Sequence, residues 1–224
     1  KVYKGYTVVD TFGYKKINKI SIMQLSKDGQ KVVGSKISID CDCLGMSGGW
    51  TPAVHLFTQS GGKLKFRDDD QVFIPEIYPS DQISIGSCNG DFTLDEILIG
   101  ISKKLKDFLD IKKTDYENLE IQSHFNKTKR NIWLLPSNKI IGKTKPFVDY
   151  QNDATAKDIK LALREGFRSI EHVKRYTTTG MGTDQGKLGN MHALGIISET
   201  AGSKMGELGT TTFRPPYTPL TFGT

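Results

Sequence analysis

The side chains best suited to binding chemistry lie in one loop, residues 177–190. Hydroxyl, amide and ammonium groups alternate there with glycines, which permit left-handed backbone and a close approach of the main chain to a ligand. Such a loop can hold a phosphate group or the edge of a flavin. It can equally be a glycine-rich connection that only packs its flanking helices, and both interpretations stay open. The polar side chains are Thr177, Thr178, Thr179, Thr183, Gln185 and Lys187.

A second candidate is the turn at residues 86–91, between a predicted short strand at residues 83–85 and a predicted helix. Thr93 and Glu96 predict a capping box for that helix, which continues to about Asp110. A helix N-terminus carries free N–H groups and partial positive charge, and it therefore suits a pyrophosphate or a ribityl chain. Taken alone, the segment is more simply an ordinary turn packed on its own sheet. The G-x-G-x-x-G fingerprint of a dinucleotide-binding domain is missing.

The cysteines and histidines predict neither a metal site nor a nucleophile. Cys41 and Cys43 form a C-x-C pair, but only Cys88 could add a third sulfur, so four thiolate ligands cannot be assembled. We interpret the pair as buried cysteines of a strand. The four histidines are scattered, and their spacing supports no Ser-His-Asp or Cys-His arrangement. The sequence therefore offers no catalytic residue and no metal ligand set.

Three predicted helices must position the loop. Thr155 and Asp158 resemble a capping box at the start of the first helix, and Gly166 stands where a left-handed residue ends it. Ser169 is the predicted N-cap of the second helix, and the third covers residues 191–201. The pattern predicts a small helical unit around the loop.

Strands dominate the predicted N-terminal part. Residues 3–10 alternate weakly between apolar and polar types, and residues 14–40 predict a hairpin that turns at Asp28-Gly29. The mostly apolar residues 39–46 predict a further, buried strand.

The composition is that of a globular chain. The 224 residues predict one or two domains, and no apolar run approaches the ~20 residues that span a bilayer. The net charge of +6 comes from dispersed lysines and arginines rather than from a recognised nucleic-acid module, so we expect neither a nucleic acid nor a membrane as partner. Three cysteines without a secretory context indicate a reducing, cytoplasmic location.

Four long motifs carry a family resemblance: HLFTQSGGKLKFRDDD, VDYQNDATAKDI, REGFRSIEHVKRYTTTGMGTDQGK and GTTTFRPPYTP. They resemble the α subunit of heterotetrameric sarcosine oxidase. The resemblance implies an α/β class, with the C-terminal part of a two-domain FAD/NAD-binding fold followed by a small all-α domain like a bacterioferritin-associated ferredoxin. It implies a nucleotide-binding part (residues 1–110), a linker (111–146), the helical domain (147–209) and a tether to an absent folate-binding domain (210–224).

The resemblance also implies cofactors. Related subunits hold a [2Fe-2S] cluster on four cysteines, and the matching positions here are Asp149, Gln151, Asp184 and about Gly189, so the helical domain is expected to be cluster-free. FAD is expected in the β subunit and tetrahydrofolate in the absent domain. NAD is expected at the 86–94 turn and FMN at the α/β interface. The implied contacts are Ser87, Asn89, Gly90, Phe92 and Leu94 for NAD, and Thr183, Gln185 and Lys187 for FMN.

The activity implied by the resemblance belongs to a complex with β, γ and δ subunits. Sarcosine is demethylated oxidatively to glycine, oxygen becomes hydrogen peroxide, and the one-carbon unit passes to tetrahydrofolate. The fragment alone is expected to be inactive. One alternative is an electron-transfer subunit of an opine or amino-acid dehydrogenase, against which the missing cysteines count. Another is a non-catalytic binding or assembly module.

Overall fold

The computed structural model describes residues 1–79, 81–110, 131–136, 144–215, 218 and 220–223. Strands and helices are mixed along the chain, in agreement with the coarse α/β class. The chain divides into two units. The first unit is Lys1–Gly49 with Ile132–Pro146, and the second unit is Trp50–Asn131 with Phe147–Thr224.

The predicted domain boundaries differ from this division. The first of the two segments of the first unit ends at residue 49, inside the segment 1–110 that the family resemblance assigns to nucleotide binding. Most of the predicted linker, residues 111–146, lies outside the described residues. The predicted boundaries therefore stay predictions.

The first unit is built on an antiparallel sheet of strands β1 (Tyr6–Gly13), β2 (Ile17–Leu25) and β3 (Val32–Asp40), in that order. The central strand β2 carries the buried side chains, among them Ile20 and Ile22. The strand predicted at residues 3–10 is thus present, with its start at Tyr6.

The predicted Asp-Gly turn joins β2 to β3. The Ser26 hydroxyl donates to the Asp28 carboxylate at 2.5 Å, and the Ser26 N–H donates to the carbonyl of Lys31 at 2.8 Å. Gly29 adopts a φ of 67°, which glycine reaches without a steric penalty. The hairpin prediction is confirmed.

The buried strand predicted at residues 39–46 is wrong. Strand β3 ends at Asp40, and residues 41–50 are irregular and mostly exposed. The residue pairs of β3 with β2 stop at Lys19–Asp40, and beyond them the Cys41 N–H donates to the Asn18 carbonyl at 3.2 Å. Cys41 and Cys43 are consequently not buried strand cysteines: Cys41 is half-buried and Cys43 is exposed.

The second unit begins with helix α1 (His55–Gln59) and a hairpin of β4 (Lys63–Arg67) and β5 (Val72–Ile77). Phe66 and Phe73 face each other across the hairpin, with ring centroids 5.0 Å apart. Aromatic cross-strand pairs of this kind stabilise a two-stranded sheet.

The short strand predicted at residues 83–85 is also wrong, because this segment pairs with no strand in the described part of the chain. Side chains satisfy its carbonyls instead. The Lys104 ammonium donates to the Ser84 carbonyl at 2.8 Å, and the Cys88 thiol donates to the Ile85 carbonyl at 3.0 Å. The segment leads into a short 3₁₀ helix, Gly86–Asn89.

Helix α2 (Leu94–Leu109) follows with the predicted cap. The Glu96 N–H donates to the Thr93 hydroxyl at 3.3 Å, and the Glu96 carboxylate accepts from the N–H groups of Phe92 and Thr93. Two side chains thus satisfy donors that would otherwise be unpaired at the helix start.

The helical part of the second unit matches the predicted start and stop signals. The N–H and hydroxyl of Thr155 both donate to the Asp158 carboxylate, at 2.8 and 2.6 Å, in a capping box. Gly166 follows the first helix with a φ of 98°, and Ser169 is the N-cap of the second. The elements are β6 (Phe147–Asp149), β7 (Ala154–Thr155), α3 (Ala156–Arg164), α4 (Ile170–Thr177), α5 (Asn190–Ala201) and α6 (Met205–Leu208).

Apolar side chains of α3, α4 and α5 form the core of this helical part. Ile159, Val173 and Ile197 are at most 1% exposed. Each such side chain contributes roughly 1.5–3 kcal/mol through burial. This core fixes the helix ends between which the 177–190 loop runs. Among the described residues, no helix combines the length and the apolar character that crossing a membrane requires.

Candidate functional site

Asp149, Gln151 and Asp184 come together as one hydrogen-bonded group, which we call the polar cluster. Asp149 ends β6, Gln151 lies in the turn to β7, and Asp184 belongs to the 177–190 loop. The Gln151 N–H donates to the Asp149 carboxylate at 2.8 Å, and the Asp184 N–H donates to the Gln151 side-chain oxygen at 3.0 Å. Three of the four positions matched to cluster cysteines are therefore neighbours in space.

The Asp149 carboxylate is the buried centre of this group, with 5% of the residue exposed. One oxygen accepts from the N–H groups of Gln151 and Asn152, at 2.8 and 2.9 Å, and the other accepts from the Gly180 N–H at 2.6 Å. Burial by itself raises the pKa of Asp149, but these backbone donors outweigh it and hold the pKa below its usual 3.8. The side chain is therefore a buried anion stabilised by backbone N–H groups.

Gln151 fills the space between the turn and the loop. Its amide nitrogen donates to the Thr183 hydroxyl at 2.8 Å. A Cβ atom placed on Gly182 would lie 2.2 Å from the Gln151 side-chain oxygen. A side chain at position 182 would therefore displace Gln151.

Gly189, which lies at about the fourth position expected from the family resemblance, touches the backbone of β6. A Cβ atom there would lie 2.4 Å from the Val148 carbonyl oxygen. Backbone cannot yield as a flexible side chain can, so a cysteine at this position would require a shift of the loop.

The glycine-rich loop adopts the predicted left-handed backbone. Gly180 and Gly186 have φ values of 72° and 73°, and Gln185 has a φ of 50°. The Asn190 side chain lies against both glycines, because a Cβ atom on either would come within 2.3 Å of its oxygen. Asn190 also donates to the Thr211 hydroxyl at 2.8 Å. The sequence analysis did not identify this role of Asn190, because the order of residue types does not show that its side-chain amide contacts the loop.

The structure separates the three residues expected to contact FMN. Thr183 is exposed and bonded to Gln151. Gln185 donates to the Gly182 carbonyl at 3.0 Å and faces a pocket beside α4. Lys187 donates to the Asp184 carbonyl at 3.3 Å and lines a different cleft.

The cleft beside Lys187 is narrow and mainly apolar, with a free volume of ≈ 30 Å³. That volume holds one or two water molecules and not a cofactor ring. His55 lies in its wall, 8% exposed, with its ring centroid 3.9 Å from that of Phe213. Burial, together with the charge of Lys187, lowers the pKa of His55 to about 4, so the imidazole is neutral at pH 7.

Residues 210–213 pack on the second unit, although the sequence interpretation assigned them to a tether. The Thr212 N–H donates to the Glu171 carboxylate at 2.6 Å, and the Lys174 ammonium donates to the Thr212 carbonyl at 3.3 Å. Thr211 is 5% exposed. We call residues 210–214 the strap.

The turn predicted to contact NAD is largely bonded within the protein. Asn89 accepts from the Tyr78 hydroxyl at 3.3 Å and donates to the Asp91 carboxylate at 3.1 Å. The Gly90 carbonyl accepts from the Arg67 guanidinium at 2.8 Å. A Cβ atom on Gly90 would lie 2.7 Å from that guanidinium, so Gly90 approaches the β4–β5 hairpin.

The remaining turn residues differ in exposure. Ser87 is exposed, Phe92 is half-buried, and Leu94 is 57% exposed at the start of α2. The Phe92 N–H is bonded within the α2 capping box. Ser87 and Leu94 are thus the predicted contacts whose side chains face outward.

Metal-binding groups are not assembled in the described residues, where no three His, Cys, Asp or Glu side chains are placed to hold an ion. The three cysteines are free; Cys41 and Cys43 belong to the first unit and Cys88 belongs to the second.

Comparison with known proteins shows what this chain is similar to. L-proline dehydrogenase from P. horikoshii superposes with a TM-score of 0.66 over 96% of this chain and 43% of that chain, at 22% identity. The family model described as "Sarcosine oxidase A3 domain" matches residues 143–224. The sarcosine oxidase α subunit of Rhizobium meliloti (strain 1021) is 32% identical over 96% of this chain, and that of Corynebacterium sp. (strain P-1) is 31% identical over 99%.

The fold is therefore similar to part of the L-proline dehydrogenase chain. More narrowly, the sequence is similar over nearly its whole length to the two sarcosine oxidase α subunits, and residues 143–224 match the A3 domain model. It spans 22% and 24% of the lengths of these two relatives.

Proposed function

We propose that the chain is part of the α subunit of a sarcosine oxidase complex. The complex oxidatively demethylates sarcosine to glycine, reduces oxygen to hydrogen peroxide and transfers the one-carbon unit to tetrahydrofolate. Homology to two sarcosine oxidase α subunits across nearly the whole chain supports this proposal. Within that complex, the proposed role of this chain is to bind cofactors and partner subunits.

The helical domain is proposed to lack an iron–sulfur cluster, and the polar cluster is the observation that supports this. A [2Fe-2S] cluster of this type requires four sulfur ligands. Asp149, Gln151 and Asp184 offer carboxylate and amide groups, and they already bond to each other and to the backbone. Gly189 has no room for a side chain. These residues do not fit the cluster, and no electron-transfer step through it is proposed.

NAD is proposed to contact the 86–94 turn in the full subunit. Ser87 and Leu94 offer outward side chains, whereas Asn89, Gly90 and Phe92 would act through the shape of the turn. The N-terminus of α2 would supply partial positive charge to the phosphates of a bound dinucleotide. The missing glycine-rich half must come from outside this chain.

FMN is proposed to lie where the α subunit meets the β subunit, near the 177–190 loop. Thr183, Gln185 and Lys187 are the proposed contacts; Thr183 bonds to Gln151, and Gln185 and Lys187 line different pockets. FAD is proposed in β and tetrahydrofolate in a domain outside this chain. The γ and δ subunits complete the proposed complex, which we place in the cytoplasm.

The proposal is tested on the subunit that contains this chain, assembled with its partners. We expect sarcosine-dependent hydrogen peroxide formation, bound flavin, and less than 0.1 equivalents of iron and sulfide, as an order-of-magnitude bound below the two irons of one cluster. Stoichiometric iron and sulfide would refute the cluster-free domain. Absence of sarcosine turnover, with intact flavin content and another amine oxidised, would refute the substrate.

The FMN contact is tested separately in that assembly. Lys187→Met should reduce FMN retention or slow electron transfer between the flavins, because a cation stabilises anionic phosphate or reduced flavin. Lys157→Met, an exposed lysine of α3, is the matched control and should change neither. Parental FMN content and transfer rate in Lys187→Met would refute a contact role for Lys187.

A further inference from the structure

A pocket of ≈ 200 Å³ lies between α4, the 177–190 loop and the strap. Its wall carries three cations from two elements, together with one carboxylate and two neutral side chains. The lining residues are Glu171, Lys174, Arg175, Met181, Gln185 and Arg214. None of these residues belongs to the turn or the loop positions to which NAD and FMN contacts are assigned, apart from Gln185.

The charged side chains of this pocket differ in the hydrogen bonds that they already make. Glu171 accepts the Thr212 N–H at 2.6 Å, so its carboxylate is held by the strap. Lys174 is 7% exposed and donates one N–H to the Thr212 carbonyl, which leaves other ammonium donors for a ligand. Arg175 and Arg214 form no ion pair with a carboxylate in the part of the chain that the structure describes. The lining therefore has an excess of positive charge.

Hydrogen bonds hold the strap against α4 and the loop. Glu171 and Lys174 stand one turn apart on α4 and bind the N–H and the carbonyl of the same strap residue, Thr212. Asn190 holds the preceding residue, Thr211. Arg214 thereby lines the same pocket as Arg175, although the two lie 39 positions apart in the sequence (214 − 175 = 39).

We infer that this pocket binds the dianionic phosphate of a phosphomonoester. Guanidinium groups recognise phosphate through paired N–H donors, and a buried ammonium adds a point charge that water screens poorly. A ligand pocket for a whole cofactor usually has ≈ 300–1,000 Å³, so ≈ 200 Å³ suits a phosphate with only part of the molecule that carries it. The inference does not depend on the proposed function.

The test measures binding to the 224-residue chain by isothermal titration calorimetry at constant, low ionic strength. The probes are inorganic phosphate, AMP, and adenosine as the uncharged counterpart of AMP. We expect phosphate and AMP to bind and adenosine not to bind. If AMP binds more tightly than phosphate, the natural source is a ligand-borne phosphate; equal affinities indicate free phosphate as the source. Either result supports the anion site.

Variants locate the binding. Arg175→Gln and Arg214→Gln should each weaken AMP binding about tenfold or more, since each removes a charge-assisted contact. Both residues are exposed, so neither change should alter the circular dichroism spectrum or the thermal midpoint. Arg168→Gln, an exposed arginine outside the pocket, removes the same charge and should leave the affinity within about twofold. Equal losses in all three variants, or no binding of phosphate and AMP, would overturn the inference.

Discussion

Replacement of Asp149 by Asn would test whether this position requires an anion. The substitution keeps the shape of the side chain but exchanges one carboxylate oxygen for an NH₂ group. If the remaining oxygen still accepts from Gln151 and Asn152, the new NH₂ group faces the buried Gly180 N–H. In the parent protein this N–H donates to the Asp149 carboxylate at 2.6 Å. Two donors would then oppose each other.

The magnitude follows from those contacts. Loss of a hydrogen bond to a charged group costs about 1.5–3 kcal/mol, and a buried N–H left without an acceptor costs about 1–3 kcal/mol. Because the loop can relax in part, we expect Asp149→Asn to lower the free energy of unfolding by about 3 kcal/mol. Such a loss is a substantial fraction of the ~5–15 kcal/mol that stabilises an ordinary domain.

The measurement combines urea unfolding with hydrogen exchange of the Gly180 amide. Asp153→Asn is the matched control, since Asp153 is exposed and its φ of 53° is one that asparagine tolerates. The control should change stability by less than about 0.5 kcal/mol. If Asp149→Asn also stays within that limit and the Gly180 amide exchanges at the parental rate, the buried-anion reasoning is refuted.

The pH dependence supplies a second check on the same side chain. The pKa of Asp149 in the folded protein lies below its usual 3.8. The ionised carboxylate therefore contributes fully to the free energy of unfolding above pH 3.8, and this contribution is lost as the pH falls through the folded pKa. The difference in unfolding free energy between the parent and Asp149→Asn should therefore be constant near neutral pH and should narrow in strong acid. A difference that widens on acidification contradicts this sign.

Two further predictions concern close contacts and burial. Gly189→Ala should destabilise the protein by roughly 1–3 kcal/mol in urea unfolding, because the new Cβ atom meets the Val148 carbonyl oxygen. The control Gly45→Ala should be nearly neutral, because a Cβ atom there meets no atom within 4 Å. Equal effects of the two substitutions would contradict the Gly189 contact. His55 should titrate near pH 4 in an NMR titration. The unfolded imidazole binds a proton below about pH 6.5, whereas the folded imidazole stays neutral down to about pH 4. His55 alone should therefore lower the free energy of unfolding by roughly 3 kcal/mol as the pH falls from 6.5 to 4. A His55 resonance that titrates near 6.5 would contradict its burial.

Local signals allowed the best predictions from the sequence. Both capping boxes, at Thr93 and Thr155, form as predicted, because their partners stand three residues along the same helix start. The Asp28-Gly29 hairpin forms for the same reason: the turn residues bond within the turn. Such interactions depend on sequence spacing alone, and distant parts of the chain do not alter them.

Non-local pairing explains the errors. Residues 39–46 and 83–85 have strand-like composition, but a strand exists only where a partner offers free backbone groups. The residue pairs of β3 with β2 end at Lys19–Asp40, and the carbonyl of Ser84 accepts a hydrogen bond from the ammonium of Lys104. The strap was missed because its anchors, Glu171 and Lys174, are indistinguishable in sequence from an exposed charged helix face.

The loop contacts show a further limit. Thr183, Gln185 and Lys187 alternate in sequence, which in an extended strand would place them on one side. The left-handed conformations of Gln185 and Gly186 turn the chain between them, and the three side chains face three different surroundings. The residue types therefore predicted that the loop is polar. Their spacing in the sequence could not predict in which directions the donor side chains point.

The same backbone geometry can serve either a thiolate or a carboxylate. Three N–H groups converge on the side chain of residue 149, and converging backbone donors stabilise a negative charge whether sulfur or oxygen carries it. An apolar residue at position 149 would leave these buried donors without acceptors, at a cost of about 1–3 kcal/mol each. Aspartate supplies the anion without a sulfur ligand. The identity of residue 149 is thus explained by the turn that surrounds it, and the cluster-free proposal for this domain requires no collapse of the scaffold.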